Sequence, residues 1–533
     1  MRLLPQPCFF PSLMVTGCHE LFCCAKQMPT FELIRGRKFE ITRESRRSHF
    51  SYLEYPMKLF ILVLSALWLG PAVVGAERKP NIILILADDL GYGDLGCFGQ
   101  KTLKTPRLDA MAREGMRLTQ FYAGSTVCAP SRCVLLTGKH MGRTTVRGNS
   151  TKPIVIQPDE PTLASVLKKA GYATACIGKW GVGTPDKLTN PNEVGFDHFF
   201  GYVDMWHAHN FYPEFLIRNG AVVPSENEVE EKWKPFQDPR QPKGGRGVAK
   251  KRVTYAPDLF AKEAESFIVE NQEKPFFLYY SMNVPHANNE AGLRGMEVPE
   301  FGEFAEKDWP DSEKGFAAMI RNIDRETGRI LNLLKKLKIA EETLVIFTSD
   351  NGPHAEGGHD PERFDSNGPY RGRKRDLYEG GIRVPTIAWW PKTIEADSAN
   401  NHQWYFGDFM ATFAEVASAE VPEDLNSDSF FPTLKGNPPE KEWHRKSLLY
   451  WEFHEKGSAQ AVRFGKWKAI RKPMFTGPIE LYDLSFDFGE KRDHAKRRPK
   501  LVEHASNLLK KAHLPDPNWP VPTKALRRKA DPK

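Results

Sequence analysis

The chain of 533 residues contains three short polar segments whose residue types could carry out chemistry. The first is Cys128-Ala129-Pro130-Ser131-Arg132, which places a thiol four residues before a guanidinium group. The other two, Asp88-Asp89 and Asp350-Asn351, offer only oxygen ligands and so favour a hard cation, calcium or magnesium, over zinc. A lone cysteine is often a buried structural thiol, and either pair alone could form a turn. Because both pairs follow apolar runs, we expect them to belong to one site.

Four apolar runs predict the strands that position these residues, at 81–87, 172–177, 276–282 and 343–348. Polar residues follow each run: Asp88-Asp89, Lys179, His286 and Asp350-Asn351, respectively. Helical patterns lie at 106–114, 162–170 and 312–337, and further strands at 116–122 and 384–390. This alternation predicts an α/β fold with a doubly wound, mostly parallel central sheet. Ligands bind outside the carboxyl ends of the strands in such sheets, so the polar residues should share one site.

The sequence changes character near residue 426, where shorter strand-like runs begin. These runs, at 448–451, 461–464, 467–470 and 480–484, precede a helical stretch at 499–512. We therefore expect a catalytic domain over 77–425 and a smaller α+β domain, with an antiparallel sheet and a helix, over 426–533. The Lys-, Glu-, Pro- and Gly-rich stretch 224–252 is expected to be a surface insertion.

The N-terminal region carries the marks of an export signal. Residues 57–76 combine a basic start at Lys58, an apolar run and small residues before a cleavage point after Ala76, which is typical of a signal peptide. Gly70 and Pro71 interrupt the run, so a stable membrane span is not expected. Residues 1–56 are interpreted as a mis-assigned or disordered extension. The protein should be periplasmic or extracellular.

The charge balance is against a nucleic-acid partner. The formal net charge is +8, of which residues 1–76 contribute +4. No cluster of basic and aromatic residues suggests single-strand binding.

The cysteine segment, followed by Leu136-Thr137-Gly138, closely resembles the signature of the type I sulfatases, which are arylsulfatase-like members of the alkaline-phosphatase-like superfamily. The resemblance extends from Pro80 to about Ala495. It implies that a formylglycine-generating or equivalent maturation enzyme converts Cys128 to formylglycine (3-oxoalanine). In that family the hydrated aldehyde attacks the sulfur of a sulfate ester, and its second hydroxyl then expels sulfate. Three thiols would remain after residue 76 (Cys97, Cys133 and Cys176), enough for at most one internal disulfide.

The same resemblance assigns roles to individual residues. It implies that Asp88, Asp89, Asp350 and Asn351, together with the group derived from Cys128, bind the cation, with Ca²⁺ favoured over Mg²⁺. Lys179 matches a lysine that contacts sulfate and the diol, and Lys374 matches a second sulfate-binding lysine. His286 matches a histidine that contacts sulfate or protonates the leaving oxygen, and Arg132 supports the diol. Together these groups would stabilise a dianionic transition state.

One position departs from the family pattern. Many members carry a histidine where this chain has Gly181, and that histidine steadies the diol and assists sulfate release. His207, His209 and His354 are candidates to replace it. We favour His354, because it lies three residues after Asn351.

The sequence thus predicts an exported sulfatase that hydrolyses sulfate esters. A phosphomonoester or phosphonate hydrolase on the same scaffold is an alternative, but such enzymes generally use Ser or Thr and often zinc with more histidine ligands. A second alternative is a protein that only binds sulfated glycans. Sulfated polysaccharides are preferred as substrates over small aryl sulfates, and a polar-aromatic cluster could line a sugar subsite: Trp206, His207, His209 and Tyr212.

Overall fold

The computed structural model describes residues 78–149, 152, 154–440, 445–455 and 457–521. The predicted signal peptide at 57–76 and the extension at 1–56 lie outside the described residues and remain predictions. Within the described ranges, no helix has the length and apolar character that crossing a membrane requires.

Eighteen strands occur in the described ranges, numbered here in chain order. The first nine are β1 Asn81–Ala87, β2 Met116–Leu118, β3 Phe121–Tyr122, β4 Ala173–Lys179, β5 His198–Tyr202, β6 Phe215–Arg218, β7 Ala221–Pro224, β8 Glu228–Val229 and β9 Ala249–Lys251. The second nine are β10 Phe276–Ser281, β11 Thr343–Ser349, β12 Ile387–Trp389, β13 Ser398–Asn400, β14 Trp404–Tyr405, β15 Leu449–Phe453, β16 Ala459–Phe464, β17 Trp467–Arg471 and β18 Ile479–Asp483.

Ten α-helices accompany these strands in the same ranges. They are α1 Pro106–Arg113, α2 Cys128–Thr137, α3 Leu163–Lys169, α4 Asn190–Glu193, α5 Ala256–Asn271, α6 Asp311–Lys336, α7 Glu379–Ile382, α8 Asp408–Val416, α9 Phe431–Leu434 and α10 Pro499–Ala512.

The central sheet has ten strands in the order β13-β2-β12-β11-β1-β10-β4-β5-β6-β7. Its five middle strands, β11-β1-β10-β4-β5, are all parallel. Antiparallel strands appear only toward the edges, where β12 pairs with β11 and β6 pairs with β5. The predicted mostly parallel sheet is therefore confirmed.

The sheet is covered on both faces because its middle strands are apolar throughout. In β1, Ile82 and Leu84 pack into one buried cluster, and Ile83 and Ile85 pack into another on the opposite face. The first cluster includes residues of α2, α3 and α8, and the second includes residues of α1, α5 and α6. This is the doubly wound arrangement that the sequence predicted.

The C-terminal region contains an antiparallel sheet in the order β15-β16-β17-β18. Tyr450 and Val462 on one face pack against α10 through Ala505 and Leu509. Trp451 on the other face belongs to the buried cluster that also contains α2, and its indole Nε1 donates to the carbonyl of Ala123 at 2.9 Å. The predicted smaller sheet and helix are thus present, whereas the boundary at residue 426 stays a prediction.

Most predicted elements have nearly the expected bounds, with one informative exception. The predicted strand 116–122 is two short strands, because β2 joins the central sheet while β3 pairs with β14 in a separate two-stranded sheet. The 224–252 stretch includes the antiparallel pair β8–β9.

Candidate functional site

The two acidic pairs meet because β1 and β11 are parallel neighbours in register. Ala87 lies opposite Ser349, so the next residues of both strands leave the sheet side by side. The backbone N–H of Asp89 donates to Oδ1 of Asp350 at 3.0 Å. The side-chain amide of Asn351 donates to Oδ1 of Asp89 at 2.7 Å. Asp88, Asp89, Asp350 and Asn351 are fully buried.

Cys128 is the first residue of α2, and its thiol is close enough to Lys179, Asp88 and Asp350 to interact with their charges. Two other residues of the helix's first turns fix its position. The hydroxyl of Ser131 donates to the backbone carbonyl of Asp350, and the Nε and Nη2 atoms of Arg132 donate to Oδ2 of Asp350 at 3.0 and 2.8 Å. The Nη1 atom of Arg132 also donates to the carbonyl of Lys179 at 2.9 Å. Arg132 therefore joins α2, β4 and the end of β11.

Two lysines bring positive charge to the carboxylates. The ammonium group of Lys179, at the end of β4, donates to Oδ2 of Asp88 at 2.6 Å. That of Lys374 donates to Oδ2 of Asp89 at 2.7 Å and to Nε2 of His286 at 3.1 Å. Both lysines are buried. The predicted site residues Asp88, Asp89, Lys179, His286 and Lys374 are thus brought together.

His286 is oriented by its own backbone neighbourhood. Its Nδ1 lies 2.7 Å from the carbonyl of Ala287, which makes Nδ1 the donor and leaves Nε2 to accept from Lys374. The same Nε2 is 3.4 Å from Oδ2 of Asp89. The imidazole of His209 stacks on that of His286 with ring centroids 4.8 Å apart, so His286 is held on both its edge and its face.

Burial of several charged side chains close together shifts the pKa values of the site. Burial, and then the carboxylate of Asp88, raise the pKa of Asp350 to about 7. Burial acts in the same direction on Asp88, but Lys179, His286 and Arg132 outweigh it and lower the pKa of Asp88 below its ordinary value. Burial also raises the pKa of the Cys128 thiol. Burial and Lys374 lower the pKa of His286 to about 3, so its imidazole is neutral near pH 7.

Two buried oxygen atoms of the site have no hydrogen-bond partner among the described residues. They are Oδ1 of Asp88 and Oδ1 of Asn351. An unpaired buried oxygen is costly unless another group satisfies it. Carboxylate oxygens of Asp88 and Asp89 also lie within 4.8 Å of each other and of a His286 nitrogen. The oxygen donors of Asp88, Asp89 and Asn351 fit a hard divalent cation.

The sequence reasoning missed two residues at the site, Asn149 and Glu356. Oδ1 of Asn149 lies 3.7 Å from the thiol sulfur of Cys128. Glu356 accepts from Lys374 at 2.9 Å and from Nη1 of Arg375 at 2.7 Å. In the sequence these are ordinary polar residues of loops, and only the fold brings them to the cysteine and the lysine.

Gly181 lies beside the site with a positive φ of 76°. A Cβ atom there would be 3.1 Å from Cδ of Arg132 and 3.6 Å from Cε of Lys179. Among the candidate replacements, His354 is buried, but its Nε2 contacts the carbonyl of Pro285 and its Nδ1 accepts from the N–H of Glu356. Its ring therefore holds two loops together, and its predicted role in place of a histidine at 181 stays a prediction.

The predicted polar-aromatic cluster divides into two environments. His207 packs on Phe215, whose carbonyl lies 3.0 Å from its Nε2, and Tyr212 packs on Tyr255. His209, by contrast, contacts both His286 and Trp206. Only the Trp206–His209 half of the cluster thus adjoins the site.

A parallel sheet with buried carboxylates, lysines and a cysteine at its carboxyl edge defines an α/β enzyme suited to an anionic substrate. Comparison with known proteins agrees with that class. Residues 80–419 match the sulfatase family model, and residues 371–513 match a model for the C-terminal region of N-sulphoglucosamine sulphohydrolase.

Individual relatives cover most of the chain. N-acetylgalactosamine-6-O-sulfatase of Bacteroides thetaiotaomicron is 32% identical over 81% of this chain and 93% of its own. N-acetylgalactosamine-6-sulfatase of Sus scrofa is 36% identical over 69% of this chain and 67% of its own. The crystal structure of Ps i-CgsB in complex with k-i-k-neocarrahexaose matches with a TM-score of 0.69 and 27% identity, over 86% of this chain and 98% of that one. The chain belongs to the sulfatase family and is a sulfuric ester hydrolase.

Proposed function

We propose that this protein is an exported sulfatase that removes sulfate from sulfated glycans, using formylglycine derived from Cys128 and a calcium ion. The observation that carries the mechanism is the meeting of Cys128, two buried lysines and two acidic pairs at one edge of the sheet. Glycans are favoured because the relatives named above are N-acetylgalactosamine-6-sulfatases. Small aryl sulfates are proposed as alternative substrates, and a maturation enzyme as the partner that modifies Cys128.

We infer that Asp88, Asp89, Asp350 and Asn351, together with the group derived from Cys128, hold the cation. Oδ1 of Asp88 and Oδ1 of Asn351 accept no hydrogen bond from the described residues, and this supports the assignment, since a cation would satisfy both. When bound, the ion would supply positive charge to the sulfate oxygens and to the nucleophile. Conversion of Cys128 to formylglycine would supply a hydrated aldehyde as that nucleophile.

The chain's own residues then position and neutralise the substrate. Lys179 and Lys374 present ammonium groups to a sulfate bound between them, in a buried setting where charged donors are most effective. Arg132 does not reach outward, because all three of its nitrogens bond to protein atoms. Arg132 instead holds the first turn of α2, which begins at Cys128, against Asp350.

Lys374 and His286 together control the proton for the departing alcohol. The Lys374 ammonium donates to Nε2 of the neutral His286, so Nζ carries the proton of the pair. A leaving oxygen placed beside Nζ would receive that proton. The Ala287 carbonyl, which fixes Nδ1–H, keeps Nε2 directed to that position.

Two measurements test the proposal. Mass spectrometry of the peptide containing Cys128, from the natural host, should show a loss of about 18 Da relative to cysteine, the change from thiol to aldehyde. The purified protein should release sulfate from a 6-sulfated N-acetylgalactosamine oligosaccharide and leave the matching phosphate ester intact. Faster hydrolysis of the phosphate ester would favour the phosphatase alternative, and an unmodified cysteine without turnover would favour a binding protein.

A further inference from the structure

A cavity lies between the region of the central sheet and the C-terminal sheet, away from the site described above. It is an open cleft of about 680 Å³. One wall contains His140, three residues after the end of α2, and another contains the end of α10. Cys128 is at the opposite end of α2, whose ten residues span about 15 Å. The cleft is therefore separate from the cysteine.

The lining of the cleft has one sign of charge. Every ionisable side chain that lines it is an arginine, a lysine or a histidine, and no carboxylate lines it. The cationic residues are Arg143, Arg445, Lys446, Arg463 and Lys511. A concave surface lined in this way concentrates anions.

Some of these cationic side chains pair with carboxylates that do not line the cleft, and others have no such partner. Arg445 binds both carboxylate oxygens of Asp408, and Arg143 pairs with Asp424. Arg463 is buried and has no carboxylate partner among the described residues; its Nη1 donates to Gln120 and to the Tyr122 hydroxyl. Lys446 and Lys511 are exposed and form no ion pair within the described part of the chain, so these two cations remain available to a ligand.

His140 supplies a hydrogen-bond donor to the same cleft. Its side chain is only 4% exposed, and its Nδ1 accepts from the N–H of Gly142 at 3.2 Å. The proton of the neutral ring therefore sits on Nε2. Burial lowers the pKa of His140 to about 4, so the ring is neutral near pH 7. Because His140 lines the cleft, its Nε2–H can donate to a ligand there that offers an acceptor.

We propose that this cleft binds the sulfate groups of a second segment of a sulfated saccharide chain. Sulfate oxygens accept from arginine, lysine and a neutral imidazole N–H alike, and the absence of lining carboxylates avoids repulsion. Gln403, Asn426 and Ser447 also line the cleft and can hydrogen-bond to sugar hydroxyls. The choice of a saccharide as the carrier of the sulfate rests on the proposed function. Occupation of the cleft would tether a long substrate while the active site works on another part of it.

The test compares two pairs of charge reversals in the full chain. Lys446→Glu with Lys511→Glu changes the cleft, whereas Lys500→Glu with Lys510→Glu changes two exposed lysines of α10 that do not line it. Binding of chondroitin 6-sulfate is measured by titration calorimetry in a Cys128→Ala background, which removes the nucleophile. The cleft pair should raise the Kd about tenfold, and the control pair less than about twofold.

Several outcomes would overturn the proposal. Equal weakening by both pairs would mean a diffuse charge effect, and no weakening by the cleft pair would remove the site. If sodium sulfate binds as tightly as the polysaccharide, and the cleft pair of substitutions abolishes that binding, the cleft is a site for free sulfate instead. Lys446→Ala with Lys511→Ala repeats the test without added negative charge. Turnover of 6-sulfated N-acetylgalactosamine monosaccharide, which is too short to reach the cleft, should be unchanged in both pairs when Cys128 is intact; its absence in the parent chain would contradict the proposed function instead.

Discussion

The thiol sulfur of Cys128 lies 3.7 Å from Oδ1 of Asn149, a side chain on the loop that follows α2. Gly148, next to this asparagine, and Gly181 line the same small cavity beside Ala129. Asn149 thus approaches the reactive position from the loop beside this cavity. A side-chain amide can both accept from and donate to hydroxyl groups, so it can steady the group formed from Cys128.

Replacement of Asn149 by alanine should therefore slow turnover. We expect Asn149→Ala to lower kcat about tenfold, as the loss of one hydrogen bond of about 1.4 kcal/mol predicts, with little change in KM. Mass spectrometry should show an unchanged fraction of converted Cys128, which separates positioning from maturation. Asn437→Ala, at an exposed position, is the matched control. An unchanged kcat in Asn149→Ala would exclude the role.

Removal of Lys374 should have a larger effect, because its ammonium group joins Asp89, Glu356 and His286. We expect Lys374→Ala to lower kcat by about 10²–10³-fold, the usual cost of losing a charged donor to a transition state. Lys392→Ala, which removes an exposed lysine paired with Glu341, should leave kcat unchanged. Comparable activity of the two variants, both folded by circular dichroism, would contradict the assignment of Lys374.

Chelation should destabilise the protein, because a bound cation stabilises only the folded site. At a hundredfold excess of Ca²⁺ over its Kd the expected gain is about 2.7 kcal/mol, measurable as a rise in Tm. Asp89→Ala should abolish the shift between EDTA and Ca²⁺. Asp324→Asn should retain it, since Asp324 instead accepts from the first N–H groups of α1. A shift that survives in Asp89→Ala would place the cation elsewhere.

The stability of the packing between α10 and the C-terminal sheet should depend on pH through Glu452. This buried carboxylate accepts from the Tyr450 hydroxyl, His454 and His513. Burial opposes its ionisation, but the bonds from His454 and His513 prevail and lower the pKa of Glu452 to about 2. Because the folded-state pKa is below the ordinary value of about 4.5, the ionised carboxylate stabilises the fold above that value, and its contribution disappears as the pH falls toward 2.

Glu452→Gln should consequently reduce the free energy of unfolding by up to about 3 kcal/mol at pH 7. The difference from the parent chain should shrink between pH 4.5 and pH 3 in urea titrations. Glu503→Gln, on the exposed surface of α10, is the control and should show no such trend. A difference that grows on acidification would have the wrong sign for this mechanism.

The sequence predicted the central sheet well because its strands have a distinctive local signal. The runs ending at Ala87 and Ser349 are apolar at every position, as strands buried on both faces require, and their polar ends placed Asp88 and Asp350 in one site. The helix α5 and the edge strands β6 and β7 were not predicted. Val222 in β7 is exposed, so that strand lacks the apolar pattern that the middle strands have.

The unpredicted site residues share a different reason. Asn149 and Glu356 follow no strand and belong to no motif that the resemblance covers, so their proximity to Cys128 and Lys374 depends on how loops fold back over the sheet. The sequence alone also could not show that both ring nitrogens of His354 already bond to backbone groups. Contacts between distant loops are set by tertiary packing and carry no periodic signal.

The burial of Cys128 has a consequence for the protein's biosynthesis. The residue is 3% exposed, and every residue of α2 is buried between the sheet and its neighbours. A docked helix does not offer this side chain to a maturation enzyme. The conversion proposed for Cys128 would therefore have to occur between synthesis and folding. A chain that folds first would keep its thiol, so the yield of active protein would depend on the relative rates of conversion and folding.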